Sequence, residues 1–418
     1  MTLVLETNAN PALAHPECKP GTRGTPLSPD LANSRTGELP HVLFLIDRFP
    51  GPDSGGAEAM LVNIIRRLPR DKFRRSLVTF GINPKVKPAE LFPCPVYIFP
   101  LRRTYDWNGL KTAIKLAKLI RQEKISIVHT FFETSDLWGG MIAKLSGCPL
   151  LVSSRRDMGI LRKGMKHDIA YRFMRRHMDL VLPVSNQVRE FCIERDGLDP
   201  RKVVTLYNGV EVERLAQANG CDTLRTRYGL NGASHIISTV ANIRPVKGID
   251  VLIRAAAIVC RQFPHANFVI VGHHGEGGYF KDLQDLCESL GICENIKFVG
   301  GQDEIGPFLN MSQVFCLPSR SEGFSNALIE AMACSLPCVA TRVGGNSEAL
   351  QDGSNGYLVE NEDAEAMANR ILALLQNPGG AKEMGAAARR VVEERFTMDA
   401  MMANLVRQYD SLLSGKRS

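Results

Sequence analysis

Residues 314–345 read Val314-Phe-Cys-Leu-Pro-Ser-Arg-Ser-Glu322-Gly-Phe-Ser-Asn-Ala-Leu-Ile-Glu330-Ala-Met-Ala-Cys-Ser-Leu-Pro-Cys338-Val-Ala-Thr341-Arg-Val-Gly-Gly345. The apolar runs at either end are of the kind that forms strands buried on both faces of a parallel sheet, so the segment is strand, loop, helix, strand. Gly323 allows a backbone conformation closed to other residues. Ser325 or Asn326 supplies the N-cap of a helix that Ala327, Leu328, Glu330, Ala331 and Met332 continue. The helix therefore starts beside the carboxyl end of a strand, where ligands of such sheets bind. Glu322 and Glu330 lie eight residues apart, one in the loop and one on the helix. Carboxylates accept hydrogen bonds from sugar hydroxyls, and helix N-terminal amides attract phosphate, so the segment suits a ligand carrying both. Two glutamates at this spacing also occur on ordinary solvated helices, so the surrounding motifs decide between the readings.

Upstream, Thr239-Val-Ala-Asn-Ile-Arg-Pro-Val-Lys-Gly248 ends another strand. Arg244 and Lys247 are close enough to clamp one diphosphate from a single loop, and Gly248 lets the backbone turn into a helix. With these stand Gly55-Gly56-Ala57-Glu58, Asn208-Gly-Val-Glu211, and Val343-Gly-Gly-Asn346 with Glu348. Taken together in this order from Gly55 to Glu348, the motifs resemble those of the retaining, nucleotide-sugar-dependent glycosyltransferases of family four. The resemblance implies an α/β fold of the GT-B kind: two doubly wound Rossmann-like domains facing each other across a cleft, with a C-terminal helix crossing back.

Length and composition agree. A chain of 418 residues exceeds what one core serves, so two domains are expected. An apolar share of 44% and a charged share of 23% exclude the disordered and membrane-spanning classes. No apolar run approaches the length needed to cross a bilayer. Residues 1–39 lack the basic start, apolar stretch and small-residue cleavage site of a secretory signal, and are expected to form a flexible leader. Eleven cysteines, an odd number, show no paired zinc spacing; Cys334 and Cys338 flank a turn and most others lie in apolar segments. They are expected as buried free thiols of a reducing, cytoplasmic compartment, where nucleotide sugars are made.

In the first half, strands are expected at 41–47, 76–80, 126–131, 150–153, 180–184 and 203–207, with helices between them. In the second they are expected at 236–240, 268–271, 296–299, 314–317, 338–341 and 356–359. The polar stretch from Glu211 to Asn231 marks the boundary, giving an acceptor-side domain over 40–211 and a nucleotide-sugar domain over 212–396. Met401, Met402, Leu405, Val406, Tyr409, Leu412 and Leu413 repeat at helical spacing, so 397–418 is expected as the helix that completes the first domain.

The chemistry implied by the resemblance is transfer of a sugar from a nucleoside diphosphate to an acceptor hydroxyl with retained anomeric configuration. No Asp-x-Asp is found to hold a divalent metal, so Arg244 and Lys247 are expected to neutralise the leaving diphosphate, with no metal or other cofactor. By the family match, Glu330 accepts from the ribose hydroxyls and Glu322 from the donor sugar, while Gly323, Phe324, Ser325, Asn326 and Ala327 bring backbone to sugar and phosphate. Gly55 and Gly56 bring amides to the diphosphate or make room for the acceptor. Front-face attack needs no side-chain nucleophile. Many relatives carry a histidine near the reacting carbon two positions beyond His129, where this chain has Phe131; His129 is therefore expected either to serve in its place or to be structural. His273 and His274 are open to two readings, nucleotide contact or surface loop.

Arg155 to Arg189 holds nine basic residues against three acidic, and Arg66 to Arg75 six against one, so much of the net charge of +7 lies in the first domain. With Ile160, Leu161, Met165, Ile169, Tyr171, Phe173 and Met174, that face is expected either to rest on anionic lipid, peripheral to the inner face of the plasma membrane, or to be solvated. The acceptor is expected to be a saccharide or lipid-linked saccharide of a surface or exported polysaccharide, and family frequency points to a uridine donor. No nucleic-acid motif accompanies the charge, so nucleic acid is not an expected partner. Arg156-Asp157 either binds acceptor hydroxyls or forms an internal ion pair. Other enzymes on this fold fit less well: a sugar-nucleotide epimerase would lack the Glu322 to Glu330 arrangement, and a glycogen-type phosphorylase would be longer and carry a pyridoxal lysine. A non-catalytic nucleotide-sugar-binding or scaffold protein would have lost Arg244, Lys247 or Glu322, and all three are present.

Overall fold

Short Val, Ile, Leu and Phe runs with no polar alternation form two parallel sheets, as expected for strands covered on both faces. The computed structural model describes residues 4–5, 38–49, 55–83, 86–157, 171–217, 219–275 and 277–415. The first sheet contains β1 (Val4–Leu5), β2 (His41–Ile46), β3 (Arg74–Thr79), β4 (Val96–Ile98), β5 (Ile127–Phe131), β6 (Leu150–Arg155) and β7 (Leu180–Pro183), in the order β1-β4-β3-β2-β5-β6-β7. All pairs are parallel except β1 on β4. The second contains β8 (His235–Val240), β9 (Ala266–Val271), β10 (Ile296–Gly300), β11 (Val314–Leu317), β12 (Cys338–Thr341) and β13 (Tyr357–Val359), ordered β10-β9-β8-β11-β12-β13 and wholly parallel.

Three differences from the sequence reading have local causes. Val203–Tyr207 forms no regular strand but runs beside β7: Val203 bridges Val181, Val204 N–H donates to Val181 O at 3.0 Å and Leu206 N–H donates to Pro183 O at 2.8 Å. β4 is only three residues long, too short to show a period. Val4–Leu5 pairs antiparallel with Val96 and Tyr97, so part of the leader is a sheet edge. Residues 1–3 and 6–37 of the leader, together with Ile160, Leu161, Met165 and Ile169, lie outside the described residues.

The chain crosses between domains twice, and the crossings are hydrogen-bonded to each other. Val210 N–H donates to Phe396 O at 2.9 Å, and Met398 N–H donates to Val210 O at 3.0 Å. Gly209 is required there, because a Cβ would lie 2.5 Å from Thr397 O. Thr397 then caps the last helix, Met398–Leu413, accepting from Ala400 N–H at 3.2 Å. This helix buries Met398, Met401, Met402, Leu405 and Tyr409 in one cluster with Val42, Phe44 and Ile127, so the C-terminal segment completes the first domain's core. Between the domains lies a cleft of about 1040 Å³.

Candidate active site

The cleft is built from strand ends. After β8, Pro245–Lys247 forms a 3-10 turn closed by Gly248 at φ 63°, the left-handed region that favours glycine. A Cβ on Gly248 would also run into Pro318 O, so the loops after β8 and β11 touch where only glycine fits. Arg320 fastens this turn: its guanidinium donates to Pro245 O and to both oxygens of Asp250 at 2.9 and 2.8 Å, and it pairs with Glu362. These carboxylates hold its pKa above the usual guanidinium value. No sequence signal singled out Arg320, because its partners are scattered along the chain.

Lys247 Nζ donates to Glu322 Oε1 at 2.7 Å, and Ser319 Oγ donates to the same oxygen at 2.6 Å. The loop bearing Glu322 is held by backbone contacts that exclude side chains. Gly345 N–H donates to Gly323 O at 3.0 Å, and a Cβ on Gly344 would run into Glu322 O. A Cβ on Gly323 would run into Arg156 O of the other domain, so the interdomain approach itself requires this glycine. Ser325 caps the helix Asn326–Ala333 by accepting from Leu328 N–H at 3.3 Å. Glu330, on that helix, faces the cleft; burial pushes its carboxyl up to about 7, against the opposing pull of Arg214.

The first domain meets this wall at the start of the helix Gly56–Arg67, where the Glu58 carboxylate accepts from Gly55 N–H at 3.1 Å. Burial raises the Glu58 pKa and the Arg244 cation across the cleft opposes the rise. Asn326 Nδ2 donates to Gly56 O at 3.2 Å, and Asn208 Nδ2 donates to Asn326 Oδ1 at 2.6 Å. Arg156 in turn donates to Asn208 Oδ1 and lies over the Phe131 ring at 5.3 Å. Its Nε has no hydrogen-bond partner, and burial lowers its pKa to about 10. The neighbouring Arg155 stands 3.1 Å from Asp136 in a buried ion pair. Glu348 clasps the domains from another side, accepting from the amides of Asn186 and Gln187 at 2.9 and 3.0 Å and from Tyr207 OH at 2.6 Å.

Arg244, Lys247, Glu322, Gly323, Phe324, Ser325, Asn326, Ala327, Glu330, Gly55 and Gly56 therefore line one cleft. His129 does not, and its catalytic expectation is corrected. It lies in mid-strand β5, fully buried, with Nδ1 2.6 Å from Tyr409 OH and Nε2 2.9 Å from Ser154 Oγ. Burial, with Arg156 adding to it, lowers its pKa to about 3, so it is a neutral core residue. Of the two loop histidines, His273 lines the cleft and its ring covers Gly301, whereas His274 stacks on Phe280 at 4.3 Å. Among the described residues no three His, Cys, Asp or Glu side chains are grouped to hold a metal ion, and ten cysteines are free thiols.

Residues 54–214 match the family described as Glycosyltransferase Family 4, and residues 222–391 match that described as Glycosyl transferases group 1. The chain belongs to glycosyltransferase family 4. The N-acetyl-alpha-D-glucosaminyl L-malate synthase of Bacillus anthracis is 29% identical over 313 residues, covering 74% of this chain and 79% of that protein. The UDP-Gal:alpha-D-GlcNAc-diphosphoundecaprenol alpha-1,3-galactosyltransferase of Escherichia coli is 28% identical over 276 residues, covering 63% and 70%. Among solved structures, Anabaena Alr3699/HepE in complex with UDP-glucose superposes with a TM-score of 0.78 at 22% identity, covering 89% of this chain and 99% of that one, a likeness of fold. This family 4 member is accordingly a GT-B glycosyltransferase that draws on a nucleotide sugar.

Proposed function

We propose that the enzyme transfers a sugar from a uridine diphosphate sugar to a saccharide or lipid-linked saccharide, with retained configuration and without a metal ion, in the assembly of a surface or exported glycoconjugate. The observation that carries this reading is the pairing of Lys247 with Glu322 beside Arg244, where strand ends and a capped helix N-terminus converge. When the bond from the anomeric carbon to the diphosphate oxygen breaks, negative charge grows on the diphosphate; Arg244 and Lys247 are the cations on hand to neutralise it. The acceptor oxygen forms its bond to the anomeric carbon on the same face, and its proton passes to the departing phosphate oxygen. Glu322 then accepts from hydroxyls of the sugar, and Glu330 from those of the ribose. Gly55 and Gly56, opposite Asn326, leave room between the walls. Arg156 offers a cation from the acceptor side.

The acceptor class rests on the Escherichia coli relative, whose name specifies a diphosphoundecaprenol-linked saccharide. Contact with an anionic membrane surface, on the cytoplasmic side where nucleotide sugars are made, follows from that class. Among the described residues no helix is long and apolar enough to cross a membrane. The test is a thermal-shift screen against nucleoside diphosphates and nucleotide sugars, with and without chelator. A shift with uridine nucleotides that survives chelation supports the reading. A shift abolished by chelator refutes metal independence, and a shift with another nucleotide alone refutes the uridine donor.

A further inference from the structure

The loop and helix from Leu101 to Gln122 carry six basic residues, Arg102, Arg103, Lys111, Lys115, Lys118 and Arg121, against one acid, Asp106. Asp106 is taken up as the N-cap of the helix Trp107–Gln122, accepting from Gly109 N–H at 2.7 Å. The helix buries Gly109, Thr112, Leu116, Leu119 and Ile120 against the first domain. At about 100° per residue, Trp107, Leu110 and Ile114 fall within about 60° of one another on the opposite face, flanked by Lys111, Lys118 and Arg121. Trp107 is 77% exposed, Leu110 50% and Ile114 59%, and Tyr105, just before the helix, is 82% exposed. The adjoining helix, Gly140–Leu145, adds exposed Met141 and Leu145. Nearby carboxylates are engaged elsewhere: Glu123 pairs with Arg74, and Asp179 with Lys144.

Single exposed apolar side chains are ordinary, but tryptophan, tyrosine and aliphatic groups gathered in one patch with cations beside them are not. A second copy docked symmetrically on this face would set lysine against lysine. Nucleic acid would meet the cations and rings yet gain nothing from Leu110, Ile114 and Leu145. An anionic bilayer satisfies all three: rings at headgroup depth, aliphatics at the acyl boundary, lysines reaching anionic headgroups. We propose that this face of the first domain docks on an anionic lipid surface. Of the apolar residues in the 155–189 run, Tyr171 and Met174 are buried in the core, whereas Phe173 is exposed. The inference deepens the lipid-linked acceptor reading, and its test uses neither donor nor acceptor, so each fails separately.

The test is co-sedimentation of the full chain with phosphatidylcholine vesicles, with and without phosphatidylglycerol. The protein contains two tryptophans, and Trp138 packs on Phe80 at 5.3 Å, so a Trp138→Phe variant leaves Trp107 as the fluorescent reporter. Binding only to vesicles containing phosphatidylglycerol, reversed by salt and with a blue shift of Trp107, is the expected result. Each of Lys111→Glu, Lys115→Glu and Lys118→Glu should weaken it by roughly fivefold or more, the equivalent of about 1 kcal/mol per basic residue near the surface. Trp107→Ser with Ile114→Ser should weaken sedimentation with phosphatidylglycerol vesicles at low salt, while the melting temperature is unchanged. Failure to sediment with phosphatidylglycerol vesicles overturns the inference, as does binding that survives charge reversal. Self-association or oligonucleotide binding that the same variants abolish, without vesicle binding, assigns the face to that partner instead.

Discussion

Lys247 Nζ stands 2.7 Å from Glu322 Oε1, so the cation assigned to the diphosphate is already held by the carboxylate assigned to the sugar. The pairing orients both groups before a donor arrives. It also keeps Glu322, whose side chain is only 9% exposed, from being an uncompensated charge. Lys247→Ala should lower kcat by about 10²–10³, the range for removing one donor that meets developing negative charge. Initial rates measured beside a melting curve check this. Full turnover in a folded variant would refute the clamp.

Glu330 gives the site a pH dependence. Its carboxyl titrates near 7 in the folded chain against an ordinary value of 4.5, so between those values the native state holds a proton that the unfolded state has lost. The contribution to stability therefore falls as pH rises from about 4.5 to 7 and is flat outside that window. Glu330→Gln should flatten the melting temperature over the same range. A ribose that donates to the ionised carboxylate should bind more tightly as pH rises through 7, and calorimetry of uridine diphosphate across that range should show it in the native enzyme and not in the variant.

Tyr409→Phe should leave the buried Nδ1 of His129 unpaired, at a cost of about 1–3 kcal/mol. The melting temperature should drop while kcat of the folded fraction stays within about twofold, a margin of about 0.4 kcal/mol in the barrier. Lost turnover at an unchanged melting temperature would return His129 to the chemistry.

Gly248→Ala should be costly twice over, from a left-handed φ of 63° and from the collision with Pro318 O. Backbone strain alone is about 1–3 kcal/mol. Because the strain falls on the Lys247 turn, nucleotide binding by thermal shift should weaken more than the melting temperature falls.

Glu348→Ala removes the acceptor for two amides and for Tyr207 across the domain boundary. Small-angle scattering should report a larger radius of gyration for the unliganded variant, with donor KM raised more than kcat is lowered. Unchanged scattering and KM would mean that the double crossing at Val210 and Thr397 fixes the domains by itself.

What the sequence disclosed follows from how each feature is encoded. All six strands of the second domain were legible because buried parallel strands are written as continuous apolar runs. The run Val203–Tyr207 has the same composition and hydrogen-bonds to β7 through Val204 and Leu206, yet it builds only one bridge and no regular ladder. The cleft residues were legible through motifs whose glycines answer to backbone collisions, at Gly248, Gly323 and Gly344. Arg320 acts through partners 42 to 75 residues away and no local pattern announces it, while Asn208 and Glu348 stand in local motifs but reach partners 118 and 162 residues away that no motif names. His129 misled because a histidine beside a motif looks catalytic until its two nitrogens are seen to be satisfied inside the core.

The bond between Tyr409 and His129 spans 280 residues of chain, and it sets a timetable. A ribosome adding about 5–20 residues per second needs tens of seconds to pass from one partner to the other. Throughout that interval the sheet face bearing Val42, Phe44 and Ile127 lacks its covering helix, while the second domain can already be folding. The domain that begins first is thus the one that finishes last. A truncated chain that stops short of residue 398 would carry an intact second domain on a first domain with an open apolar face, a form for chaperones and proteases to recognise.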